Sequence, residues 1–278
     1  MPELPEVESV RRKLAPLLEG RRFDQVAIVD PRLTRPEEPT GVARELEGER
    51  VSSLERRGKY LIVRFESGRA LLIHLRMTGS LRHGGAGTLP DDPYRRAVVN
   101  LDDGSDVAFR DVRRFGTWLL LEPGELDPYL DARVGGEPLA GGYRARDLAA
   151  RLAGRRAPVK AAILDQRTVA GVGNIYADEA LWRARIHPLT PAAALTPDEV
   201  KALHRGIRAA LRRGIERQGS TLRDYALPDG ESGSMQREFK VYGRAGEPCE
   251  RCGTPVDKTR VAGRGTWYCP TCQRYRPA

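Results

Sequence analysis

The chain has 278 residues, of which 40% are hydrophobic and 31% are charged. A chain of this length and composition is expected to fold into two compact domains, and wholesale disorder is excluded. No apolar run approaches the roughly 18 residues of a membrane-spanning helix, and no secretory signal is predicted. The four cysteines all lie within residues 249–272, as expected in a reducing compartment, so a cytoplasmic location without membrane attachment is predicted.

The net charge of +9 is unevenly distributed. Residues 141–278 carry 25 basic and 14 acidic side chains, whereas residues 1–140 carry 22 and 24. A basic C-terminal half indicates a polyanionic partner, and nucleic acid is the first candidate. Only six of the 47 basic residues are lysines. Because a GC-rich genome also produces arginine-rich chains, composition alone leaves this interpretation open.

The first half is predicted to be a mostly antiparallel β domain with an N-terminal helix. Residues 5–18 place apolar side chains at helical spacing, with acidic residues in the first turn. The period then changes to that of strands. Two hairpins and a further strand are predicted at residues 59–65 with 70–75, 97–101 with 107–109, and 117–121.

The second half is predicted to be helical. Residues 132–142 contain four glycines and one proline, which is typical of a linker. Short helices are predicted over 144–153 and 159–165, a third from Asn174 through Trp182, and a fourth after the capping residue Thr196. Residues 217–238 are polar and contain glycine, so a loop is expected there.

The cysteine spacing is the strongest single motif. Two Cys-x2-Cys pairs are separated by 16 residues, and their members are Cys249, Cys252, Cys269 and Cys272. Four thiolates at this spacing favour one tetrahedral structural Zn²⁺ over two redox pairs or unrelated thiols. Because protein sulphurs would fill every position, the metal would hold the loop around Arg264 and leave no open site for catalysis.

Two further features are weaker when taken alone. The turn Gly171-Val172-Gly173-Asn174 opens a helix, where free N–H groups attract phosphate, although many such turns only cap helices. Removal of Met1 would expose the secondary amine of Pro2 beside the Glu3 carboxylate. A free amine as nucleophile and a carboxylate that transfers protons are the two groups that iminium chemistry on a sugar C1′ needs. Without other context, most Met-Pro starts have no such role.

Met77, Arg113 and Phe115 are predicted at strand ends or turns. Such side chains at loop tips can enter a base stack and fill the space left by an extruded base. Periodicity alone nevertheless favours Met77 and Phe115 as members of the β core. Lys59 is equally ambiguous, because a cation at the start of a strand has no chemistry until a substrate lies near it.

Eight segments that run in order along essentially the whole chain carry the motifs of one family. They are residues 1–8, 57–61, 74–79, 113–116, 164–166, 169–181, 241–244, and the cysteine region with 263–266. Taken jointly these motifs are highly specific, and the chain resembles the bacterial formamidopyrimidine-DNA glycosylases, which share a fold with the endonuclease VIII group.

This resemblance implies an α+β fold. It consists of an N-terminal antiparallel β-sandwich with a flanking helix, a C-terminal helix–two-turn–helix domain and a zinc β-ribbon. The expected boundaries are 1–131 for the catalytic β-sandwich, 132–142 for the linker, 143–240 for the DNA-binding domain with a lesion-capping loop at 219–238, and 241–278 for the zinc-ribbon finger.

The implied activity is that of a bifunctional DNA glycosylase and AP lyase of base excision repair. Such an enzyme removes oxidised purines, chiefly 8-oxoguanine and formamidopyrimidines, and cleaves the strand by β,δ-elimination. Pro2 would form a Schiff base at C1′, with Glu3 as proton donor. Lys59 would be the proton donor associated with β-elimination, and Arg264 the one for δ-elimination.

The implied partner is double-stranded DNA that contains oxidised bases or abasic sites. The expected DNA-contacting side chains are Met77, Arg113, Phe115, Arg155, Lys160 and Asn174. The first three would fill the gap left by the flipped nucleotide, with Arg113 facing the orphaned cytosine, and the last three would hold phosphates, Arg155 the most weakly. The protein is expected to be a monomer in the bacterial cytoplasm, associated with the nucleoid through DNA, with one Zn²⁺.

Two alternatives remain at this point. The first is an endonuclease VIII-like glycosylase for oxidised pyrimidines; Leu4, where that group often has glycine, and the long loop at 219–238 argue against it. The second is a non-catalytic zinc-dependent DNA-binding protein. The chain also departs from the family at Tyr94-Arg95-Arg96, where a His-x-His pair is common, so a phosphate contact there is in doubt.

Overall fold

The structure is a computed structural model that describes residues 1–222 and 225–276. The chain forms two compact units. The N-terminal unit comprises Met1–Ala132 and Arg217–Ser234, and the C-terminal unit comprises Arg133–Glu216 and Met235–Ala278. No helix among the described residues is long and apolar enough to cross a membrane.

Most strands form one run along the chain and most helices form another, as expected of an α+β protein. The helices are α1 (Leu4–Leu18), α2 (Pro39–Leu46), α3 (Leu126–Asp131), α4 (Ala145–Leu152), α5 (Val159–Leu164), α6 (Asn174–Ala184) and α7 (Pro197–Glu216). The strands are β1 (Phe23–Ile28), β2 (Val51–Arg57), β3 (Tyr60–Phe65), β4 (Ala70–His74), β5 (Gly79–Gly85), β6 (Arg95–Leu101), β7 (Ser105–Asp111), β8 (Thr117–Leu121), β9 (Asp257–Val261) and β10 (Arg264–Tyr268).

The N-terminal unit is an antiparallel β-sandwich. Its two four-stranded sheets have the orders β1-β6-β7-β5 and β2-β3-β4-β8. One core cluster takes side chains from both sheets and from α1, whose Val7, Val10 and Leu14 are fully buried. The edge-to-face pair of Phe109 and Trp118, with ring centroids 5.7 Å apart, joins β7 to β8. The predicted sandwich with a flanking helix is therefore confirmed.

Several elements of this unit were not predicted, because their sequence signals are weak. In β1 only Phe23 and Val26 are buried, so the alternation of buried and exposed positions is irregular. The strand β5 begins and ends with glycine, which strand patterns disfavour. The helix α2 has only eight residues, too few for its periodicity to be read with assurance.

The C-terminal unit combines helices with a two-stranded ribbon. The helices α6 and α7 pack closely because α7 has glycines at the contact: a Cβ on Gly206 would lie 2.6 Å from the Ala180 carbonyl oxygen, and one on Gly214 would lie 2.5 Å from the Tyr176 hydroxyl oxygen. The strands β9 and β10 form an antiparallel hairpin in which Val261 lies opposite Arg264. This arrangement agrees with the predicted helical domain followed by a β-ribbon.

Most of the predicted lesion-capping loop, 219–238, groups with the N-terminal unit. Arg82 donates a hydrogen bond of 2.6 Å to the Leu227 carbonyl, and Lys13 forms an ion pair of 2.5 Å with Asp229. The last residues of the loop form a short 3-10 turn, Met235–Glu238, in the C-terminal unit. Arg223 and Asp224, which also belong to the predicted loop, lie outside the described residues.

Candidate active site and zinc centre

The N-terminus is held by the first turn of α1. Glu3 is the N-cap of the helix, and its backbone N–H donates to Glu6 Oε2 at 2.9 Å in a capping box. Pro2 is buried, Glu3 is 2% exposed, and Met1 is the exposed residue that precedes them. The predicted nucleophile and proton donor therefore lie next to each other at the capped start of a helix.

Glu6 connects this helix start to the loop at 217–234. Its Oε1 accepts from the Ser220 N–H at 2.8 Å and from the Ser220 hydroxyl at 3.2 Å. A Cβ on Gly219 would lie 2.8 Å from Glu6 Cγ, so only glycine fits this approach, and its φ is 79°. Sequence reasoning assigned Glu6 only to the helix, because nothing in the sequence indicates a partner more than 200 residues away.

Lys59 lies in a two-residue turn between β2 and β3. Gly58 supplies a φ of 57°, which suits the first central position of such a turn. The Lys59 side chain is 5% exposed, so it is no simple solvated cation. Burial, assisted by Arg76 and Lys59, lowers the pKa of the neighbouring His74 to about 3, so this imidazole is neutral near pH 7.

Met77, Arg113 and Phe115 lie on two loops of the N-terminal unit. We call residues 75–78 and 112–116 the wedge loops. Phe115 is 50% exposed and Met77 is partly exposed, so neither belongs to the β core that periodicity favoured. The guanidinium of Arg113 lies 4.8 Å from the centre of the Phe115 ring. The three side chains are accessible, as contacts with DNA require.

The predicted phosphate contacts of the C-terminal unit differ in exposure. Asn174 begins α6 and donates from Nδ2 to the Gly265 carbonyl at 3.0 Å. Arg155 is partly exposed and pairs with Asp165 at 3.1 Å. Lys160 is fully buried.

Lys160 was expected to hold a phosphate, but its ammonium is directed into the protein. Its Nζ lies 2.7 Å from Asp178 Oδ1, 2.8 Å from the Thr266 hydroxyl and 3.0 Å from the Gly265 carbonyl oxygen. Direct contact with a phosphate would require this ammonium to leave a fully buried position. The structure thus places Lys160 in the support of the ribbon turn.

Two neighbouring acidic residues of α6 also hold this region: Asp178 binds the ribbon, and Glu179 binds residues 240–242, which precede the ribbon. Sequence reasoning missed both. Asp178 Oδ2 accepts from the Trp267 N–H at 3.1 Å. Glu179 Oε1 accepts from the consecutive N–H groups of residues 240–242 at 2.9, 3.0 and 3.1 Å. Burial raises the pKa of Asp178 to about 7, against the opposing effect of Lys160.

Arg264 is presented at the tip of the ribbon. The turn residues Ala262 and Gly263 have φ of 48° and 74°, so both central residues have the positive φ of a tight hairpin turn. Arg264 is exposed and begins β10. The next residue, Gly265, is the one whose carbonyl accepts from Lys160 and Asn174.

The four cysteines converge as the spacing predicted. Their sulphurs all lie within 4.8 Å of one another, and Cys252 Sγ lies 3.5 Å from the sulphurs of both Cys269 and Cys272. Zinc–sulphur bonds of about 2.3 Å place the sulphurs of a tetrahedral site about 3.8 Å apart, so this set fits the ion. The Trp182 indole N–H donates to Cys249 Sγ at 3.5 Å, an outer-shell contact that favours the thiolate.

Family models match the chain in three consecutive parts. The formamidopyrimidine-DNA glycosylase N-terminal domain matches residues 1–118, the H2TH domain of the same enzymes matches 134–226, and a zinc finger found in FPG and IleRS matches 246–274. The fold and the site thus define a zinc-containing DNA glycosylase with a helix–two-turn–helix domain.

Individual relatives agree over the full length. A formamidopyrimidine-DNA glycosylase of Symbiobacterium thermophilum is 49% identical over 98% of this chain and 89% of its own. Two structures of the Lactococcus lactis FPG each have a TM-score of 0.92. The first is a variant bound to DNA containing Fapy-dG, and it is 37% identical over 99% of this chain and 100% of its own. The second is a complex with DNA containing an abasic site, and it is 36% identical over 98% of this chain and 100% of its own. The chain belongs to the formamidopyrimidine-DNA glycosylase family, and its cofactor is one structural zinc ion.

Proposed function

We propose that this protein is a bifunctional DNA glycosylase and AP lyase of base excision repair that acts on oxidised purines in double-stranded DNA. The observation that carries the proposal is the full-length similarity to formamidopyrimidine-DNA glycosylases, one of which has been seen with DNA containing Fapy-dG. The DNA bound by the second Lactococcus lactis structure contains an abasic site, which is the substrate of the lyase step. We also propose that the protein acts as a monomer in the bacterial cytoplasm, at the nucleoid.

In the proposed mechanism Pro2 is the nucleophile once Met1 has been removed. Its secondary amine forms a bond to C1′ of the flipped nucleotide, and the base leaves with the electron pair of the glycosidic bond and takes up a proton. The amine loses its proton as the new bond forms. Glu3 is the proton donor that assists base release and then opens the sugar, because protonation of O4′ allows the C1′–O4′ bond to break. The resulting iminium divides one difficult cleavage into easier steps.

Strand cleavage follows from the same intermediate. The iminium acidifies C2′, so loss of that proton expels the 3′ phosphate, and a second elimination expels the 5′ phosphate. We assign Lys59 to the first elimination and Arg264 to the second as proton donors. The burial of Lys59 in a tight turn and the exposed position of Arg264 at the ribbon tip support these roles.

DNA is held, in this proposal, by side chains of both units. Asn174 and Arg155 contact phosphates near the lesion, and Lys160 contributes through the ribbon turn that it supports. Met77, Arg113 and Phe115 fill the space of the extruded nucleotide and offset part of the stacking energy that base flipping costs, which is a few kcal/mol. Arg113 faces the orphaned cytosine. The loop at 219–238 covers the extruded purine.

Borohydride trapping tests the nucleophile directly. Borohydride reduces an iminium to a stable amine, so incubation with an 8-oxoguanine:cytosine duplex is expected to leave a covalent protein–DNA adduct. Mass spectrometry of the digested adduct should locate it on Pro2 and not on Lys59. Pro2→Gly retains a free terminal amine and should keep some trapping, whereas a protein with an uncleavable N-terminal extension should lose it. Efficient trapping by the extended protein would refute Pro2 as the nucleophile.

Incision assays test the substrate class. We expect rapid cleavage of duplexes containing 8-oxoguanine or formamidopyrimidine and slower cleavage of duplexes containing thymine glycol. The reverse preference would favour the endonuclease VIII-like specificity. Binding of lesion DNA without any incision would favour a non-catalytic DNA-binding protein.

A further inference from the structure

The two wedge loops come from different parts of the N-terminal sandwich, but they lie side by side where they join the strands β5 and β7. One follows β4 and leads into β5, and the other connects β7 to β8. The strands β5 and β7 pair so that Gly79 lies opposite Asp111. Thr78, the last residue of the first loop, therefore lies beside Asp111, from which the second loop begins.

The Asp111 carboxylate collects donors from both wedge loops. Its Oδ1 accepts from the Thr78 hydroxyl and from the Arg113 N–H at 3.2 Å, and its Oδ2 accepts from the Gly116 N–H at 2.7 Å. The Thr78 hydroxyl oxygen also accepts from the Arg113 N–H, at 2.9 Å. Asp111 is 1% exposed and Thr78 is 7% exposed, so both oxygens of the carboxylate are used inside the protein.

The backbone around this carboxylate is closely fitted. A Cβ on Gly116 would lie 2.5 Å from Phe109 Cζ and 3.0 Å from Asp111 Oδ2, and one on Gly79 would lie 2.4 Å from the Leu75 carbonyl oxygen. Each wedge loop also contains an arginine in the left-handed region, Arg76 with φ 53° and Arg114 with φ 58°. Residues other than glycine rarely adopt this conformation, so surrounding contacts must hold both loops in it.

We propose that Asp111 and Thr78 are positioning residues that fix Met77, Arg113 and Phe115 as one rigid group. The pair sets where Arg113 and Phe115 lie relative to Met77, and hence how well the group fits the space of an extruded nucleotide and meets the orphaned base. The inference rests on the proposed function of these three side chains. Neither Asp111 nor Thr78 is a catalytic residue, because their side-chain oxygens are already occupied by the wedge loops.

The decisive comparison is between two substitutions of Thr78. Thr78→Val keeps the shape of the side chain but removes the hydroxyl, whereas Thr78→Ser keeps the hydroxyl. Ser80→Ala is a matched control, since the Ser80 hydroxyl is buried two residues away and has no hydrogen-bond partner in the described part of the chain. Circular dichroism and thermal unfolding establish that each variant is folded before its activity is compared.

Thr78→Val is expected to lower the excision rate on 8-oxoguanine:cytosine duplexes and to reduce discrimination against an opposite adenine. Each effect should be about tenfold, because that is the size expected for the loss of one hydrogen bond. Thr78→Ser and Ser80→Ala should keep the wild-type preference. Borohydride trapping on single-stranded abasic DNA, which has no orphaned base, should be unchanged in all three. Asp111→Asn should reduce discrimination at least as much as Thr78→Val, because an amide nitrogen must face one of the N–H donors.

A fluorescent base analogue opposite the lesion gives a second readout, since a correctly placed wedge changes its stacking. Loss of this signal in Thr78→Val but not in Thr78→Ser is the expected result. Unchanged opposite-base preference in Thr78→Val, or equal impairment of Thr78→Val and Thr78→Ser, would overturn the inference. A wild-type protein that traps no DNA at all would instead overturn the proposed function, so the two failures are distinguishable.

Discussion

In each unit a buried aspartate holds a turn that presents side chains with a proposed role, but the partners of the two aspartates differ. In the N-terminal unit the donors to Asp111 within residues 1–222 and 225–276 are uncharged, namely one hydroxyl and two backbone N–H groups. In the C-terminal unit Asp178 forms an ion pair with Lys160, and both side chains have no exposed area. The wedge loops are thus held by uncharged donors, whereas the ribbon turn is held by a buried lysine–aspartate pair.

This difference follows from what each turn is attached to. The wedge loops extend from two four-stranded sheets whose pairing already fixes the positions of their ends. The ribbon has only two strands, and an isolated hairpin of that size is at best marginally stable in water. The ribbon therefore depends on contacts from outside itself: the zinc ion, Lys160, Asp178 and Glu179. Its position should respond to metal, charge and pH more strongly than that of the wedge loops.

The largest effect is expected from loss of zinc. Cys269→Ser should abolish zinc binding and DNA binding while the N-terminal β-sandwich stays folded, because the binding energy of a structural zinc is folding energy for its module. Metal analysis, a DNA-binding titration and circular dichroism measure these three properties. Treating the wild-type protein with a chelator should reproduce the result. Unchanged affinity for lesion DNA in a zinc-free Cys269→Ser protein would show that the ribbon does not depend on the metal.

Breaking the buried ion pair should have the next largest effect. At about pH 8.5, above the raised pKa of Asp178, Lys160→Met leaves the Asp178 carboxylate buried without its cation, which typically costs about 3–5 kcal/mol of unfolding free energy. Hydrogen exchange should rise in β10, and the double variant Lys160→Met/Asp178→Leu should regain part of the stability. Lys201→Met is the matched control, since this lysine is exposed and its pair with Asp198 lies at the surface. Equal stability of the two single variants would contradict the supporting role of Lys160.

The sequence predicts the zinc ligands and the main elements of both units, but not the buried carboxylates. Thiol spacing identifies ligands directly, because few other roles need two Cys-x2-Cys pairs at this distance. A charged residue, in contrast, is usually exposed, so Asp111 and Asp178 are interpreted by default as surface residues. Their roles depend on partners such as Thr78 and Trp267, which only the folded chain brings close. Lys160 illustrates the same limit: the family resemblance implies a contact with DNA, whereas its burial can be known only from the structure.

The two units should also differ in the sign of their pH dependence. The pKa of Asp178 is raised to about 7, so its contribution to stability is complete below about pH 4 and is lost as the pH rises through 7. The pKa of His74 is lowered to about 3, so its contribution is complete above about pH 6.5 and is lost as the pH falls towards 3. For each group the free energy of unfolding changes by at most about 1.4 kcal/mol per pH unit.

Chemical denaturation at several pH values between about 4.5 and 6.5 measures how the free energy of unfolding changes with pH. This range lies between the folded and unfolded pKa values of both groups. The stability of the wild-type protein relative to Asp178→Asn should fall with rising pH in this range, and its stability relative to His74→Gln should rise. Glu216→Gln, at an exposed position, serves as the control. Slopes of the same sign for the two variants would contradict the comparison.

The smallest effect is expected where a carboxylate uses only one oxygen. All three N–H donors of residues 240–242 meet Glu179 Oε1, whereas the buried Oε2 has no hydrogen-bond partner among the described residues. Glu179→Gln keeps a carbonyl oxygen for these donors, and burial already raises the pKa of Glu179, so the neutral amide should change the unfolding free energy by less than about 1 kcal/mol. Glu179→Ala should cost more, because it leaves three buried N–H groups without an acceptor. Asp111→Asn makes the same chemical change where both oxygens accept, so it should be the more damaging amide substitution. Thermal unfolding of the three variants measures the order, and a larger loss for Glu179→Gln than for Asp111→Asn would mean that the number of oxygens in use does not set the cost.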